Sequence, residues 1–391
     1  MKKYENVKID IVVPPYSGHL YPILELIKPL LKEEKYDICI YTGAQRKMFL
    51  KNMGIKCKVV LEDRPTFFED VANTAEKTNA FVSYSQFKKN LKVIPDIVKE
   101  LELGFKERNP DIIVADFVAV PAGVIAKKMG IPWITAIPTP FAIESKTTPP
   151  SYMGGWYPRK GVIYKLRDAI GRFTIRTFKR IVCIMGHKIL KDINYKLYNE
   201  NGEENAYSPN SILALGMKEL EFRDDYPKQV IWSGPCLSEF DVEEYSLIDV
   251  SKFKKSILVT NGTHLLWGKN NLLKIVEDLS TKFSDVCFIV SLGDIRGKDE
   301  PVIKNKDNMY TYKYIDYGAV LPKVDYVIHH GGAGILYNYI KYNKPSVIIP
   351  HDYDQFDFAV RAKIADIGIP ASLKKKNSIE NAIRELIQRK E

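Results

Sequence analysis

Four short clusters hold side chains able to move a proton or hold a phosphate. The first is Pro14-Pro15-Tyr16-Ser17-Gly18-His19-Leu20-Tyr21-Pro22. Gly18 permits a tight backbone, and Pro22 is tolerated in the first turn of a helix. His19 is therefore expected where a helix begins, as a structural histidine or as an exposed base. The second cluster is Ile113-Val114-Ala115-Asp116. A carboxylate that ends a buried strand needs a partner, because burying it unpaired is costly. A helix cap or local turn would supply one, and His19 would supply another. In that pairing Asp116 accepts the Nδ1 proton, fixes the tautomer and stabilises the imidazolium once Nε2 is protonated.

The third cluster is His329-His330-Gly331-Gly332-Ala333-Gly334, which follows the strand-like Tyr326–Ile328 and opens a helical pattern. Glycines let a phosphate approach the backbone, and a helix N-terminus offers unpaired N–H groups and the positive end of the dipole. His330 can donate a further hydrogen bond. The spacing is neither GxGxxG nor a P-loop. The fourth is Pro350-His351-Asp352-Tyr353-Asp354-Gln355. A carboxylate beside an amide suits vicinal sugar hydroxyls, although Asp354 is also a natural helix cap.

These clusters need elements to hold them. Short runs rich in Val and Ile occur at Ile9–Pro15, Asp37–Gly43, Cys57–Glu62, Asp111–Asp116, Pro132–Pro138, Ser211–Gly216 and Gln229–Gly234. They fit strands of a parallel sheet covered on both faces. Helical patterns lie between them, for example at Leu20–Lys32 and Pro121–Met129. The alternation restarts with strands at Ser256–Thr260, Val286–Leu292, Tyr310–Ile315, Tyr326–His330, Ser346–Pro350 and Pro370–Leu373, and helices at Asn270–Phe283, Gly334–Tyr342 and Phe356–Ile367. The fold class is α/β, with two Rossmann-like domains in tandem. Residues 1–235 form the first domain, 236–251 an acidic, irregular linker, and 252–391 the second domain. Ligands of such sheets bind beyond the carboxyl ends of the strands, where all four clusters fall.

The 391 residues suffice for two cores. A net charge of +10 is mild over that length and does not call for nucleic acid. No apolar run is long enough for a transmembrane helix, and the start lacks the apolar stretch of a signal peptide. Five scattered cysteines, with no CxxC, fit free thiols in a reducing cytoplasm. Six histidines without HExxH give no metal signature. One segment breaks the strand–helix rhythm. Residues 156–200 carry eleven Lys or Arg against three acids, with Ile, Phe, Tyr and Leu interleaved. They predict one or two amphipathic helices, with a solvated basic face or, over 156–198, a peripheral contact with anionic lipid.

At these motifs the chain resembles the family 1 glycosyltransferases, the bacterial macrolide-type and UDP-sugar group, over nearly its whole length. His330 with the Gly-rich turn, then Pro345, Pro350 and Asp354-Gln355, is similar to that family's donor-binding signature. Gly18-His19 with Pro22 resembles its catalytic-base motif, and Asp116 falls at its His-orienting aspartate. Gly234-Pro235 resembles the dipeptide before its interdomain linker, and Asn261-Gly262-Thr263 a turn that closes over donor phosphates.

The resemblance implies the glycosyltransferase-B fold, its two domains facing across a cleft, and a metal-independent inverting displacement without cofactor. A nucleoside-diphosphate sugar is the co-substrate, with UDP-glucose favoured and the choice between a UDP and a dTDP donor left open. His19 and Asp116 carry the catalysis. Gly18, Thr263, His330, Gly331, Gly332, Gly334, Ile335, Asn338, Asp354 and Gln355 bind the donor. Ile335 and Asn338 depart from the family, which often has a hydroxyl and a glutamate there, and Pro29 suggests a kink in the first helix. A small lipophilic acceptor would lie against Phe67, Phe81, Tyr84, Phe141 and Met153, with Phe68, Phe87, Tyr152 and Trp156 as further wall candidates. Two alternatives stand beside this expectation, a membrane-associated glycolipid synthase and an inactive glycosyltransferase-like activator.

Overall fold

The structure, a computed structural model, describes residues 6–72, 80–237, 248–262, 266–294, 297 and 301–389, without the side chains of 80, 81 and 266–270. The chain divides into two compact units. The first holds Met1–Ala72, Asn79–Pro150 and Pro158–Ser238, and the second holds Glu239–Glu391 together with Ser151–Tyr157.

In the first unit the order is β1 (Val7–Val12), α1 (Ser17–Ile27), β2 (Tyr36–Thr42), α2 (Lys47–Asn52), β3 (Lys56–Val59), α3 (Phe67–Ala72), α4 (Ala80–Arg108), β4 (Ile112–Asp116), α5 (Val120–Met129), β5 (Trp133–Ile137), α6 (Val162–Met185), α7 (His187–Asp192), β6 (Ile212–Ala214) and β7 (Val230–Trp232). All seven strands are parallel, in the order β3-β2-β1-β4-β5-β6-β7. The strand order reverses at β1, so the crevice between the carboxyl ends of β1 and β4 is where a ligand is expected. Ile11, Leu20, Ile23 and Ile40 are completely buried around these strands. Asp10 interrupts the apolar run of β1. It accepts from Arg108 Nε at 2.7 Å and Tyr41 Oη at 2.9 Å, which tie the end of α4 to the sheet. Burial raises its carboxyl above the usual range even so.

The second unit contains β8 (Lys255–Thr260), α8 (Leu266–Lys282), β9 (Val286–Ser291), β10 (Ile303–Lys306), β11 (Met309–Tyr312), α9 (Tyr317–Val320), β12 (Tyr326–His329), α10 (Ala333–Lys341), β13 (Ser346–Ile348), α11 (Gln355–Ile364), β14 (Gly368–Pro370) and α12 (Ser378–Gln388). Its sheet runs β10-β11-β9-β8-β12-β13-β14 and is parallel except for the β10–β11 pair. Here the order reverses at β8, next to β12. Val259, Val276, Phe288, Ile328, Val347 and Ile383 form the centre of its core.

Three sequence expectations change. Pro29 does not kink α1, because that helix has ended at Ile27 and Pro29 opens a separate 3-10 turn. Strand β10 escapes a search for apolar runs, being an exposed stretch of Ile-Lys-Asn-Lys at the sheet edge. The expected first domain, 1–235, does not keep residues 151–157, which group with the second unit. The backbone N–H of Tyr152 donates to Asp357 Oδ2 at 2.8 Å. Gly155, at φ +73°, lies so close to Phe356 that a β-carbon would stand 2.6 Å from its carbonyl oxygen.

Candidate active site

In the first unit, β1 runs out through Pro14 and Pro15 into α1, and His19 is the third residue of that helix. Strand β4 ends at Asp116. Because β1 and β4 are hydrogen-bonded neighbours, the two side chains meet. His19 Nδ1 lies 3.0 Å from both carboxylate oxygens of Asp116. The carboxylate is fully buried, whereas the imidazole keeps 23% of its side-chain surface in solvent. Asp116 Oδ1 also accepts the Val118 N–H at 3.0 Å, so the local-turn and His–Asp roles coexist. This leaves Nε2 as the imidazole nitrogen that can take a proton.

Two aromatic rings frame the imidazole. Phe117 stacks on it with centroids 5.4 Å apart and planes 11° from parallel. Tyr16 meets it edge-on at 5.8 Å. Sequence reasoning gave neither a role, although Tyr16 lies in the His19 cluster and Phe117 follows Asp116. Tyr16 continues the aromatic wall to Phe68 and thence to Phe67 through edge-to-face contacts, and its hydroxyl donates to the Phe68 carbonyl at 3.0 Å. Gly18 is exposed at the helix start, with open space where a side chain would be.

The other acceptor candidates scatter. Tyr84 is exposed on α4, while Phe141 is 2% exposed and belongs to the interior rather than to a wall. Met153, like Trp156, falls in the segment that groups with the second unit. The Phe81 side chain lies outside the described residues.

In the second unit, His330 follows β12 and Gly332 caps α10. The imidazole of His330 is packed against two glycines. A β-carbon on Gly262 would stand 2.7 Å from its Cε1, and one on Gly332 would collide with its Nε2. The glycines thus make room for the histidine. The N–H groups of the first turn of α10, including Gly334 and Ile335, have no acceptor within the helix. Ile335 buries its side chain and can offer only its amide. Asn338 Nδ2 turns back to the Gly334 carbonyl at 2.8 Å. Gly331, at φ +93°, holds a left-handed conformation against the Gln355 carbonyl, 3.0 Å from where a β-carbon would be.

His329 was not assigned a role from sequence. It is 1% exposed, and its Nδ1 accepts the Gly331 N–H at 3.0 Å. Burial, reinforced by the neighbouring His330, holds its imidazole well below the ordinary histidine range. It is therefore a neutral strut under the glycine turn. Thr260, at the end of β8, likewise accepts the Gly262 N–H at 3.0 Å. Thr263 lies outside the described residues.

Asp354 precedes α11 and is partly exposed. Gln355 differs from expectation. It is buried, and its Oε1 accepts the backbone N–H groups of His351 at 2.8 Å and Asp352 at 3.1 Å. Its carbonyl thus shapes the loop that presents Asp354. Among the described residues, no three His, Cys, Asp or Glu side chains gather as a metal site.

Residues 256–391 match the glycosyltransferase family 28 C-terminal domain. The match covers about a third of the chain. The family 28 domain spans β8 to α12 and so includes both the glycine turn and Asp354. Similarity to glycosyltransferases extends over the first unit as well. The chain is 22% identical to the NDP-glycosyltransferase YjiC of Bacillus subtilis, over 99% of this chain and 89% of that protein. It is 24% identical to a sterol 3-beta-glucosyltransferase of Vanderwaltozyma polyspora, over 95% of this chain but only 31% of that longer protein. The crystal structure of the glycotransferase of kitacinnamycin superposes with a TM-score of 0.71 at 20% identity, covering 97% of this chain and 90% of the other. The fold is that of the two-domain glycosyltransferases.

Proposed function

We propose that the chain is an inverting glycosyltransferase that moves a hexose from a nucleoside-diphosphate sugar to a hydroxyl of a small lipophilic acceptor. The observation that carries this reading is the contact between half-exposed His19 and buried Asp116 at the switch point of the first sheet. His19 Nε2 takes the proton of the acceptor hydroxyl, whose oxygen attacks the anomeric carbon. The bond from that carbon to the diphosphate oxygen breaks, and the nucleoside diphosphate leaves with the electron pair. Asp116 fixes the tautomer and stabilises the imidazolium as the proton arrives. His330 and the first-turn amides at Gly334 and Ile335 stabilise the charge that develops on the leaving diphosphate.

A carboxylate only accepts hydrogen bonds, so Asp354 suits a pair of vicinal hydroxyls and favours glucose over a deoxygenated sugar. UDP-glucose is the donor of choice on this reading, and the similarity to an NDP-glycosyltransferase supports a nucleotide sugar. Phe117, Tyr16, Phe68 and Phe67 give the base an aromatic surrounding suited to a lipophilic acceptor. All five cysteines are free thiols, which supports a cytoplasmic setting.

The test is direct. The full chain is incubated with UDP-glucose and a panel of lipophilic alcohols and phenols, and products are identified by mass spectrometry and NMR. A β-glucoside is expected. An α-glucoside, or transfer unaffected by Asp116→Asn, would overturn the assignment.

A further inference from the structure

A surface helix ordinarily turns its apolar stripe inward and its charges outward. Helix α6 does the reverse. Its inward face is polar and anchored. Arg172 donates to the Thr148 carbonyl at 2.8 Å, Arg176 Nε to Glu144 at 2.7 Å, and Lys179 to Glu144 at 3.0 Å and to Glu204. Tyr198 adds a hydrogen bond to Glu144 at 2.7 Å. Asp168, the helix's single acid, is buried and paired with Arg167 at 2.7 Å.

The apolar side chains point out. Ile163 is 80% exposed, Phe173 66% and Ile184 72%, and Leu166, Ile170 and Ile181 are also exposed. At about 100° per residue these six fall within an arc of roughly 80°, a continuous stripe along a helix about 36 Å long. Phe178 carries the apolar surface to Phe87 of α4, with centroids 5.4 Å apart. The exposed face has no carboxylate. Arg180 stands within it and Lys165 on its edge, and Lys160 and Lys188 are exposed just beyond the helix ends.

We infer that the outward face of α6 docks on the surface of a bilayer that contains anionic lipid. An exposed apolar stripe of this size marks an interaction surface. A basic-rimmed amphipathic helix is the form that lies in the headgroup plane, with its apolar face in the acyl boundary. Charge selects the occupant. The helix carries six Lys or Arg and one buried Asp. A second copy would bring two such positive helices together, whereas anionic headgroups complement the rim. No helix among the described residues is long and apolar enough to cross a membrane, so the contact is a surface one. Arg172, Arg176 and Lys179, within the segment expected to meet lipid, instead fasten the helix to the protein. The apolar side chains face the lipid.

The experiment is co-sedimentation of the full chain with phosphatidylcholine vesicles, with and without phosphatidylserine. The wild type should pellet with the anionic vesicles and lose binding as salt is raised. The triple variant Ile163→Ser, Phe173→Ser, Ile184→Ser changes exposed positions only. It should keep its melting temperature and lose binding by roughly tenfold or more. Phe173→Trp, which preserves the stripe, should blue-shift its emission with anionic vesicles relative to wild type. Three outcomes would overturn the proposal. The wild type could stay in the supernatant with anionic vesicles. The triple variant could pellet like the wild type. Light scattering could show a wild-type dimer that the triple variant dissociates, without vesicle binding, making a second copy the occupant.

Discussion

His19 in the first unit and His329 in the second each stand beyond or at the end of a central strand, yet their surroundings give them opposite chemistry. His19 touches a buried carboxylate and keeps one edge in water. A carboxylate on Nδ1 stabilises the imidazolium once the other edge takes a proton. His329 is sealed among Tyr339, the glycine turn and His330, with an amide N–H as its Nδ1 partner. Among the described residues no carboxylate compensates a positive charge there, so burial keeps the ring neutral. Residue type and strand position are shared. The partner on Nδ1, acceptor in one case and donor in the other, separates the proposed base from a positioning group.

The sharpest way to break this contrast is to remove the proposed base. His19→Ala should lower kcat by roughly 10²–10⁴-fold, the usual worth of general base catalysis. Nucleotide affinity, measured by calorimetry, should stay unchanged, since the diphosphate is assigned to the second unit. Full turnover by this variant would remove His19 from the mechanism. The next effect belongs to the glycine turn. His330→Ala should weaken nucleoside-diphosphate binding by about 1.5–3 kcal/mol, the cost of a lost hydrogen bond to a charged group. Equal affinity in the two proteins would place the diphosphate elsewhere. A smaller effect concerns the sugar. Asp354→Ala should slow transfer from UDP-glucose roughly tenfold more than transfer from a deoxy-sugar donor, because the latter already lacks a hydroxyl of the vicinal pair assigned to the carboxylate. Equal slowing of both donors would leave Asp354 as a cap of α11.

How much of this was legible in the sequence depends on where each residue's partner comes from. Strands such as β1, β4 and β9 are buried on both faces and announce themselves as apolar runs. Strand β10 lies exposed at an edge and carries no such run. The His19–Asp116 meeting was legible because a doubly wound topology brings the ends of β1 and β4 together. The lock on Gln355 was not, since backbone amides leave no mark on residue type. Periodicity likewise gives a helix two faces without saying which is inward. For α6 the answer lay with Glu144 and Glu204, on either side of the helix in sequence and outside its periodic pattern.

The smallest predicted effect tests the neutral strut itself. The unfolded chain returns His329 to about 6.5, the ordinary histidine value. Below that pH the unfolded state takes up a proton that the buried, neutral ring refuses. The unfolded state then binds more protons than the folded one, so stability falls as pH falls from about 6.5 toward the folded-state value. The slope from this one group is at most about 1.4 kcal/mol per pH unit. His329→Asn offers a side-chain oxygen to the Gly331 N–H and cannot titrate. Its melting temperature should sit below that of the wild type at pH 7.5, and the gap should narrow as the pH is lowered to 5.5. Melting curves of the two proteins across that range decide the matter. A constant gap would mean that His329 takes up a proton in the fold as readily as in the unfolded chain. Its site would then accommodate the charged ring, and the contrast between the two histidines would be lost.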